Sequence, residues 1–481
     1  MRSPGVLLLV ACGCGEVTVT VADAPVGAPD APPGTIDGAK SGTRLKLAWT
    51  DFAGTRAWSG FFDAQRQESC DIVTWSDGHA YCVPSSSGQT SFRDAGCTQQ
   101  VGRVYKDTSC VTAPPPAYLI AYDDGACTYA PRHLFQRGTK IAVTQWFSKA
   151  SDGTCYGPYD ATSYDFYALG TEVVPATDLV AVTLGAPLGA SRLDPRGYTS
   201  ADGFAFPGAI HDAVAGLDCV PQSPYAGATS AQCVPLDAGY ASYFHDASCS
   251  AGELEIDQSC AAPQFAVSYA DSCPTTHGRY YAVGALNTGS PLYYKTDTTC
   301  TATTPSTSYR YYGLGNELVL ATVARAPDAD PGHRIAPIHD TWEGNAYRDA
   351  MLYDATTTTE CSPYGFPDGS VRCIPTGYGT STYYTDPACN FAIQLMGLYT
   401  GGPSCSPPPL PSYAITYVPD SAGTCKSTYD VHPVTTPYTG ALYEKFGTTC
   451  YQLTTTYEAF YRVGAALPAS TFAAGTRMTD P

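Results

Sequence analysis

The 481-residue chain has 26 basic and 44 acidic residues, a net charge of −18, and only 15% of its residues are charged. A chain this acidic repels nucleic-acid phosphates, and no Lys/Arg cluster offsets that repulsion, so we expect no nucleic-acid partner. Among 20 cysteines only Cys12 and Cys14 are closely spaced, which does not match the spacing of zinc sites. The cysteine content instead predicts disulfide bonds formed in an oxidising compartment.

The N-terminus has the layout of an export signal. Arg2 precedes an apolar run at residues 6–11, which ends at Cys12. The sequence Leu9-Val10-Ala11-Cys12 resembles a bacterial lipobox, which implies that residues 1–14 hold a signal and that the Cys12 thiol is acylated. Acylation of Cys14, or a plain secretory signal, are the alternatives. No later stretch is long and apolar enough for a membrane helix, so a lipid anchor is the one membrane contact that we expect.

Residues 15–43 are rich in Ala, Pro, Gly and Asp and lack a periodic apolar pattern. This composition predicts a flexible tether. Within it, Gly38-Ala39-Lys40-Ser41 lacks the Gly-Lys pair of a phosphate-binding loop, and we expect no nucleotide site there.

Three tandem repeats of roughly 145 residues follow, at 44–190, 191–331 and 332–481. Each carries, in order, Arg-aliphatic, an aromatic or His before Asp-Ala, Cys-aliphatic-Pro, and a closing Tyr-x-aliphatic-Gly. These motifs begin at Arg44, Phe62, Cys82 and Tyr167 in repeat 1, at Arg192, His211, Cys233 and Tyr312 in repeat 2, and at Arg334, Tyr353, Cys373 and Tyr461 in repeat 3.

Each repeat also has six cysteines, which predicts three bridges within each unit. Sequence alone does not fix their connectivity. Sequential pairing is the simplest hypothesis, although a hairpin turn at Asp77-Gly78 would place Cys70 opposite Pro84 or Ser85 rather than Cys82. The predicted disulfide cysteines are Cys70, Cys82, Cys97, Cys110, Cys127, Cys155, Cys219, Cys233, Cys249, Cys260, Cys273, Cys300, Cys361, Cys373, Cys389, Cys405, Cys425 and Cys450.

A second recurring motif is Asp-x-x-Cys. We interpret it as a tight turn in which the Asp side chain accepts hydrogen bonds from backbone N–H groups and the Cys begins the next strand. Calcium binding is the alternative, but these aspartates are spread singly along the chain, whereas calcium needs converging oxygens. The motif occurs at Asp94, Asp107, Asp124, Asp152, Asp246, Asp257, Asp297 and Asp386.

Short aromatic and β-branched runs between turn signals predict strands, and no long helical period is present. We expect an all-β fold of three disulfide-rich repeats that form a β-propeller, with three separate small β domains as the alternative.

No catalytic, cofactor or metal motif is complete. His211 and His245 fall on strand positions of the repeat, which favours structural roles. Asp328-Ala329-Asp330-Pro331-Gly332 lacks the later ligands of a calcium loop, and His339-Asp340 with Glu343 matches a loop of repeat 1. We therefore predict no catalytic residue, no cofactor and no metal.

The lipobox-like start, the tether and the repeated Cys-[Val/Ile]-Pro and Asp-x-x-Cys motifs resemble those of cysteine-rich, repeat-containing bacterial surface lipoproteins of uncharacterised function. The resemblance implies an exported protein on the outer membrane or cell surface, or a secreted one. The predicted function is a non-catalytic binding or scaffold protein that presents a rigid β platform to a glycan, a matrix component or a surface protein. The alternative is a secreted propeller-type hydrolase in which Asp63, Asp212 and Asp354 converge.

Overall fold

The computed structural model describes residues 38–106, 114–122, 130–150, 153–189, 191–258, 260–269, 273–276, 278–288, 291–296, 299–328, 332–400, 405–418, 428–454 and 458–481. Over these ranges the regular structure is strand, apart from the single helical turn α1 (Pro175–Asp178) and a 3-10 turn at Ala469–Thr471. The all-β prediction is confirmed.

The strands repeat in the same order in the three repeats. Repeat 1 contains β1 (Leu45–Phe52), β2 (Thr55–Asp63), β3 (Glu68–Thr74), β4 (Ala80–Pro84), β5 (Ser87–Phe92), β6 (Gln100–Tyr105), β7 (Tyr118–Tyr122), β8 (Pro131–Ile141), β9 (Gln145–Lys149), β10 (Cys155–Asp160), β11 (Tyr164–Val173) and β12 (Ala181–Leu184). Repeat 2 contains β13 (Leu193–Thr199), β14 (Ala205–Asp212), β15 (Leu217–Gln222), β16 (Ser230–Pro235), β17 (Ala238–Phe244), β18 (Gly252–Asp257), β19 (Phe265–Ser268), β20 (Arg279–Asn287), β21 (Leu292–Thr296), β22 (Thr299–Thr303), β23 (Tyr309–Glu317) and β24 (Thr322–Pro327). Repeat 3 contains β25 (Ile335–Trp342), β26 (Asn345–Asp354), β27 (Thr359–Gly365), β28 (Val371–Pro375), β29 (Tyr378–Tyr384), β30 (Ala392–Tyr399), β31 (Tyr413–Val418), β32 (Thr428–Tyr438), β33 (Tyr443–Phe446), β34 (Thr449–Gln452), β35 (Glu458–Val463) and β36 (Ala474–Thr479).

Five strands from each of the three repeats together form one closed ring, in which each strand is hydrogen-bonded to its neighbours. The first four make an antiparallel meander, and the last strand of the repeat returns to pair with the fourth, as β12 does with β4. That last strand also pairs with the first strand of the next repeat, in β12–β13 and β24–β25. The pairing of β36 with β1 closes the ring between the last and first repeats.

The middle strands of each repeat form a small closed barrel beside the ring. In repeat 1 the order is β5–β6–β11–β8–β7, and a parallel pairing of β7 with β5 closes it. Repeats 2 and 3 have the same five-stranded closure, through β17–β19 and β29–β31. A hairpin, β9–β10 in repeat 1, extends from the first barrel strand through the pair Phe92 and Phe147.

The β-propeller is not confirmed. The barrel strands close on themselves, whereas propeller blades are open four-stranded sheets. The repeats are not separate domains either, because their strands pair across each boundary that the ring contains. Local sequence signals predicted strands, but they did not contain the parallel contact that closes each barrel, such as β5–β7 in repeat 1.

The barrel diameter depends on glycine at a point of close approach. Gly102 of β6 faces Leu119 of β7, and a Cβ added at Gly102 would lie 2.2 Å from a Leu119 methyl carbon. Leu119 is fully buried. Any larger residue at position 102 would therefore force the buried Leu119 side chain or one of the two strands to shift.

The first two cysteines of each repeat form a disulfide in the core of the ring. Cys70 lies opposite Pro84, as the predicted turn requires, yet it bonds diagonally to Cys82 with a Cα–Cα distance of 5.3 Å. The register prediction was right, but it did not exclude this pairing, because diagonal neighbours are also within reach. Cys219–Cys233 and Cys361–Cys373 repeat the arrangement.

The remaining described bridges differ from sequential pairing. The third cysteine bonds to the sixth, in Cys97–Cys155, Cys249–Cys300 and Cys389–Cys450. The bridge Cys273–Cys405 joins repeat 2 to repeat 3, so the prediction of three bridges within each unit was wrong. Cys260 is also disulfide-bonded. Cys12, Cys14, Cys110, Cys127 and Cys425 lie outside the described residues.

The turn interpretation of Asp-x-x-Cys is confirmed at Asp94, Asp246 and Asp386, but the prediction that the cysteine begins the next strand was wrong, because the cysteine lies within the turn, before that strand starts. The Asp94 carboxylate accepts the backbone N–H groups of Thr98 and Gln99 at 3.1 and 2.6 Å. The N–H of Gln99 is the largest cause of a lowered pKa at Asp94. The following cysteine adopts φ of 49° in repeat 1 and 51° in the other two. At Asp257 the turn is closed by its carbonyl, and Asp107, Asp124, Asp152 and Asp297 lie outside the described residues.

The end of the predicted tether packs against the folded repeats. Lys40 forms a β-bridge with Ala205 of repeat 2, and the Ser41 hydroxyl donates to Asp480 at 2.8 Å. The predicted signal and residues 15–37 lie outside the described residues. Across the described ranges, no helix is long and apolar enough to cross a membrane.

Candidate functional site

The three carboxylates proposed to converge lie in three separate ion pairs. Asp63, Asp212 and Asp354 are fully buried, each beside the arginine that begins its own repeat. The Arg44–Asp63 distance is 2.7 Å, and the equivalent pairs are 3.0 Å and 2.7 Å apart.

These arginines also fasten the end of each repeat to its beginning. Arg44 donates to the carbonyl oxygen of Asp178, Arg192 to that of Val319 and Arg334 to that of Thr471. The repeated Arg and Asp motifs are therefore parts of one structural clasp. A carboxylate already occupied by a guanidinium and by turn N–H groups is not placed to act on a substrate.

The candidate histidines have structural partners. His211 Nδ1 lies 3.0 Å from Asp218, and His245 Nδ1 lies 3.5 Å from Glu253. His339 Nδ1 lies 2.7 Å from Asp328 Oδ1, so the first carboxylate of the calcium-like sequence contacts an imidazole. Among the described residues no group of three or more His, Cys, Asp or Glu could hold a metal ion.

Among the described residues, a cleft at the junction of repeats 2 and 3 is the strongest candidate site. It has a volume of about 270 Å³ and a partly open mouth. One wall is the loop between β15 and β16, and another is the segment before β31. Its lining residues include Tyr225, Thr229, Arg325, Pro327, Ile338, Tyr353, Thr359, Glu360, Pro375, Tyr378, Pro409, Pro411 and Tyr413.

A buried charge network lines the inner part of the cleft. The side chains of Arg325 and Glu360 are only 3% and 7% exposed, with Arg325 Nε 3.5 Å from Glu360 Oε1. Arg325 Nη1 also lies 3.2 Å from the Asp340 carboxylate, which is 1% exposed. One guanidinium thus faces two carboxylates, of which Glu360 belongs to the cleft lining.

Four tyrosines surround this charged floor: Tyr225, Tyr353, Tyr378 and Tyr413 are half-buried in the cleft lining. Burial raises the pKa of the Tyr378 hydroxyl. Their rings supply apolar faces and their hydroxyls supply hydrogen-bonding groups. Aromatic walls with a few convergent polar groups are typical of small-molecule sites.

A covalent bond between the repeats fixes one wall. Cys405 lies a few residues before Pro409 and is bonded to Cys273 of the neighbouring repeat. The Thr275 hydroxyl also donates to the carbonyl oxygen of Ser406 at 3.5 Å. The segment leading to Tyr413 is therefore tied to both repeats that form the cleft.

The equivalent position in repeat 1 is occupied by a long side chain. There Arg66 lies over the ring of Tyr118, 5.0 Å from its centroid, and pairs with Glu68. Repeat 3 has Thr357 in place of Arg66 and Tyr413 in place of Tyr118. The shorter side chain leaves space beside the tyrosine.

One feature of the sequence distinguishes this site, namely the spacing of two cysteines in repeat 2. The first two cysteines of repeat 2 are separated by 14 positions, against 12 in the other repeats. The two extra residues lie in the loop that contributes Tyr225. This signal is a difference between the repeats rather than a feature that all three share.

Comparison with known proteins gives a family and no function. No curated protein and no solved structure matches the chain. A family model of unknown function, DUF7481, matches residues 28–472, which include most of all three repeats. The chain therefore belongs to the DUF7481 family of unknown function.

Proposed function

We propose that the protein is an exported, non-catalytic binding protein that presents a rigid β platform to a glycan at the cell surface. The observation that carries this proposal is the cleft between repeats 2 and 3, with its buried charge network and its tyrosine lining. A surface protein and a matrix component are the alternative partners, and the cleft favours the glycan.

Rigidity supports a binding role. The closed ring, the clasp in each repeat and seven bridges between described residues restrict movement of the cleft walls. A preorganised site loses little conformational entropy when a ligand binds. Disulfides in this number are also typical of a chain that folds in an oxidising compartment.

Attachment to the membrane through Cys12 is part of the proposal. It is supported by the lipobox-like sequence and by the composition of residues 15–37, which favours a spacer. A lipid anchor with a spacer would hold the repeats near the membrane while leaving the cleft free to reach a polysaccharide.

The hydrolase alternative is not proposed, because its three carboxylates are engaged in separate clasps.

Co-sedimentation tests the binding role. The purified full-length chain is incubated with insoluble cell-wall material and with a panel of insoluble polysaccharides, with calcium and with a chelator. We expect retention on at least one material, unchanged by the chelator, since the aspartates described here cap turns. Absence of retention on every material would contradict a glycan-binding role.

A further inference from the structure

The charge network limits what the cleft can hold. Arg325 would repel a cation and Glu360 would repel an anion, and both side chains belong to the cleft lining. A ligand group suited to both must be uncharged and must both donate and accept hydrogen bonds. Hydroxyl groups have this property, because each has one donor and two acceptor lone pairs.

The size of the cleft fits a single sugar ring. Its volume of about 270 Å³ corresponds to roughly nine waters at the density of the liquid. That is just below the usual volume of small-molecule pockets. The space is comparable with one sugar ring and is too small for a longer oligosaccharide to be enclosed.

The lining suits the two faces of such a ring. A pyranose has apolar C–H patches on its faces and hydroxyls around its edge. Tyr353, Tyr378 and Tyr413 offer ring surfaces, while Glu360 and Arg325 offer an acceptor and a donor in the inner part of the cleft. Both charged groups are more than nine-tenths buried and already held in place by each other.

We propose that the cleft between repeats 2 and 3 binds a single neutral pyranose unit of a glycan, with Glu360 accepting and Arg325 donating hydrogen bonds to its hydroxyls. This rests on the proposed function and specifies its site and ligand class. The cleft selects the unit by its uncharged hydroxyls, so uronic acids of the same ring shape bind more weakly.

Saturation-transfer NMR on the full-length protein tests the proposal. The probes are the methyl glycopyranosides of glucose, galactose and mannose, each compared with its uronic acid. We expect signal transfer to at least one neutral glycoside and a dissociation constant about tenfold or more larger for its uronic acid. Equal affinity for both members of every pair would overturn the charge argument.

Variants locate the binding. Glu360→Gln keeps the side-chain shape and removes a charged acceptor, so affinity should fall about tenfold or more. Tyr225→Ala removes a loop tyrosine from the cleft and should also weaken binding. Tyr240→Ala is the matched control, because Tyr240 is 56% exposed and is not among the cleft residues. It should leave binding unchanged.

The outcomes separate this inference from the proposed function. The protein could sediment with a polysaccharide while both cleft variants sediment equally well. In that case the glycan binds elsewhere, and only the assignment to this cleft is overturned. If neither polysaccharide nor glycoside binds, both proposals fail. Unfolding midpoints equal to that of the unmodified protein would show that a loss of binding comes from the cleft.

Discussion

Replacing Asp212 with Ala tests the clasp that begins and ends each repeat. The buried carboxylate accepts hydrogen bonds from Arg192 Nη2 at 3.0 Å and from the N–H groups of Val214 and Ala215 at 3.0 and 3.1 Å. Removing one partner of a buried ion pair costs about 3–5 kcal/mol. Arg192 is 31% exposed, so water can partly solvate the guanidinium after the change, and we expect the lower end, about 3 kcal/mol.

The assay is urea unfolding of the oxidised protein, followed by circular dichroism and by tryptophan fluorescence. Coinciding transitions would allow the free energies to be compared. Asp237→Ala is the control, because Asp237 is exposed in the turn before β17 and its loss should cost less than about 0.5 kcal/mol. If Asp212→Ala costs less than about 1 kcal/mol, the clasp is not a main stabilising element and the reasoning is wrong.

Three further predictions concern bonds, charge and backbone strain. In the bridge between repeats 2 and 3, the fifth cysteine of repeat 2 is bonded to the fourth cysteine of repeat 3. The same rule predicts that Cys260, the fourth cysteine of repeat 2, is bonded to Cys127, the fifth cysteine of repeat 1. Non-reducing peptide mapping that finds another partner for Cys260 would contradict it. Burial raises the pKa of Glu253, so its ionisation destabilises the fold as pH rises above about 4.5. We expect Glu253→Gln to be more stable than the unmodified protein at pH 7. The difference in stability should vanish on acidification below the ordinary pKa of a glutamate. A difference in stability that does not depend on pH would refute this. Thr358 adopts φ of 53°, and the equivalent residue of repeat 2 is Gly216 with φ of 65°. Thr358→Gly should therefore raise the free energy of unfolding by about 1 kcal/mol. A decrease in that free energy would count against strain at this turn.

Local signals predicted the strands, the repeats and the turns. Alternating aromatic and β-branched residues specify strands whatever their partners, and Asp94 forms its turn with residues only four and five positions away. The sequence shows the repeated Arg and Asp motifs of the clasp but not their role. Carboxylates that converge in a hydrolase and carboxylates that pair with an arginine in each repeat would occur at the same spacing in the sequence. Contacts between distant residues decided that question.

The cleft could not be predicted for a similar reason. Tyr225, Arg325, Glu360 and Tyr413 come from four separate parts of the sequence, and each has an ordinary local explanation. Only the ring, which brings β24 against β25, and the bridge at Cys405 place them together. Repeat-based reasoning also favours shared features, whereas this site depends on a difference between repeats.

Pairing of β36 with β1 brings the two ends of the described fold together. Lys46 donates to the carbonyl oxygen of Pro481, and Ser41 contacts Asp480. Because the ring has no free edge at this point, the architecture does not distinguish any of the three repeats as the first. A circular permutant that joins residue 481 to residue 44 through a short linker, with new ends at the boundary near residue 190, would keep every pairing of the ring except the chain connection itself.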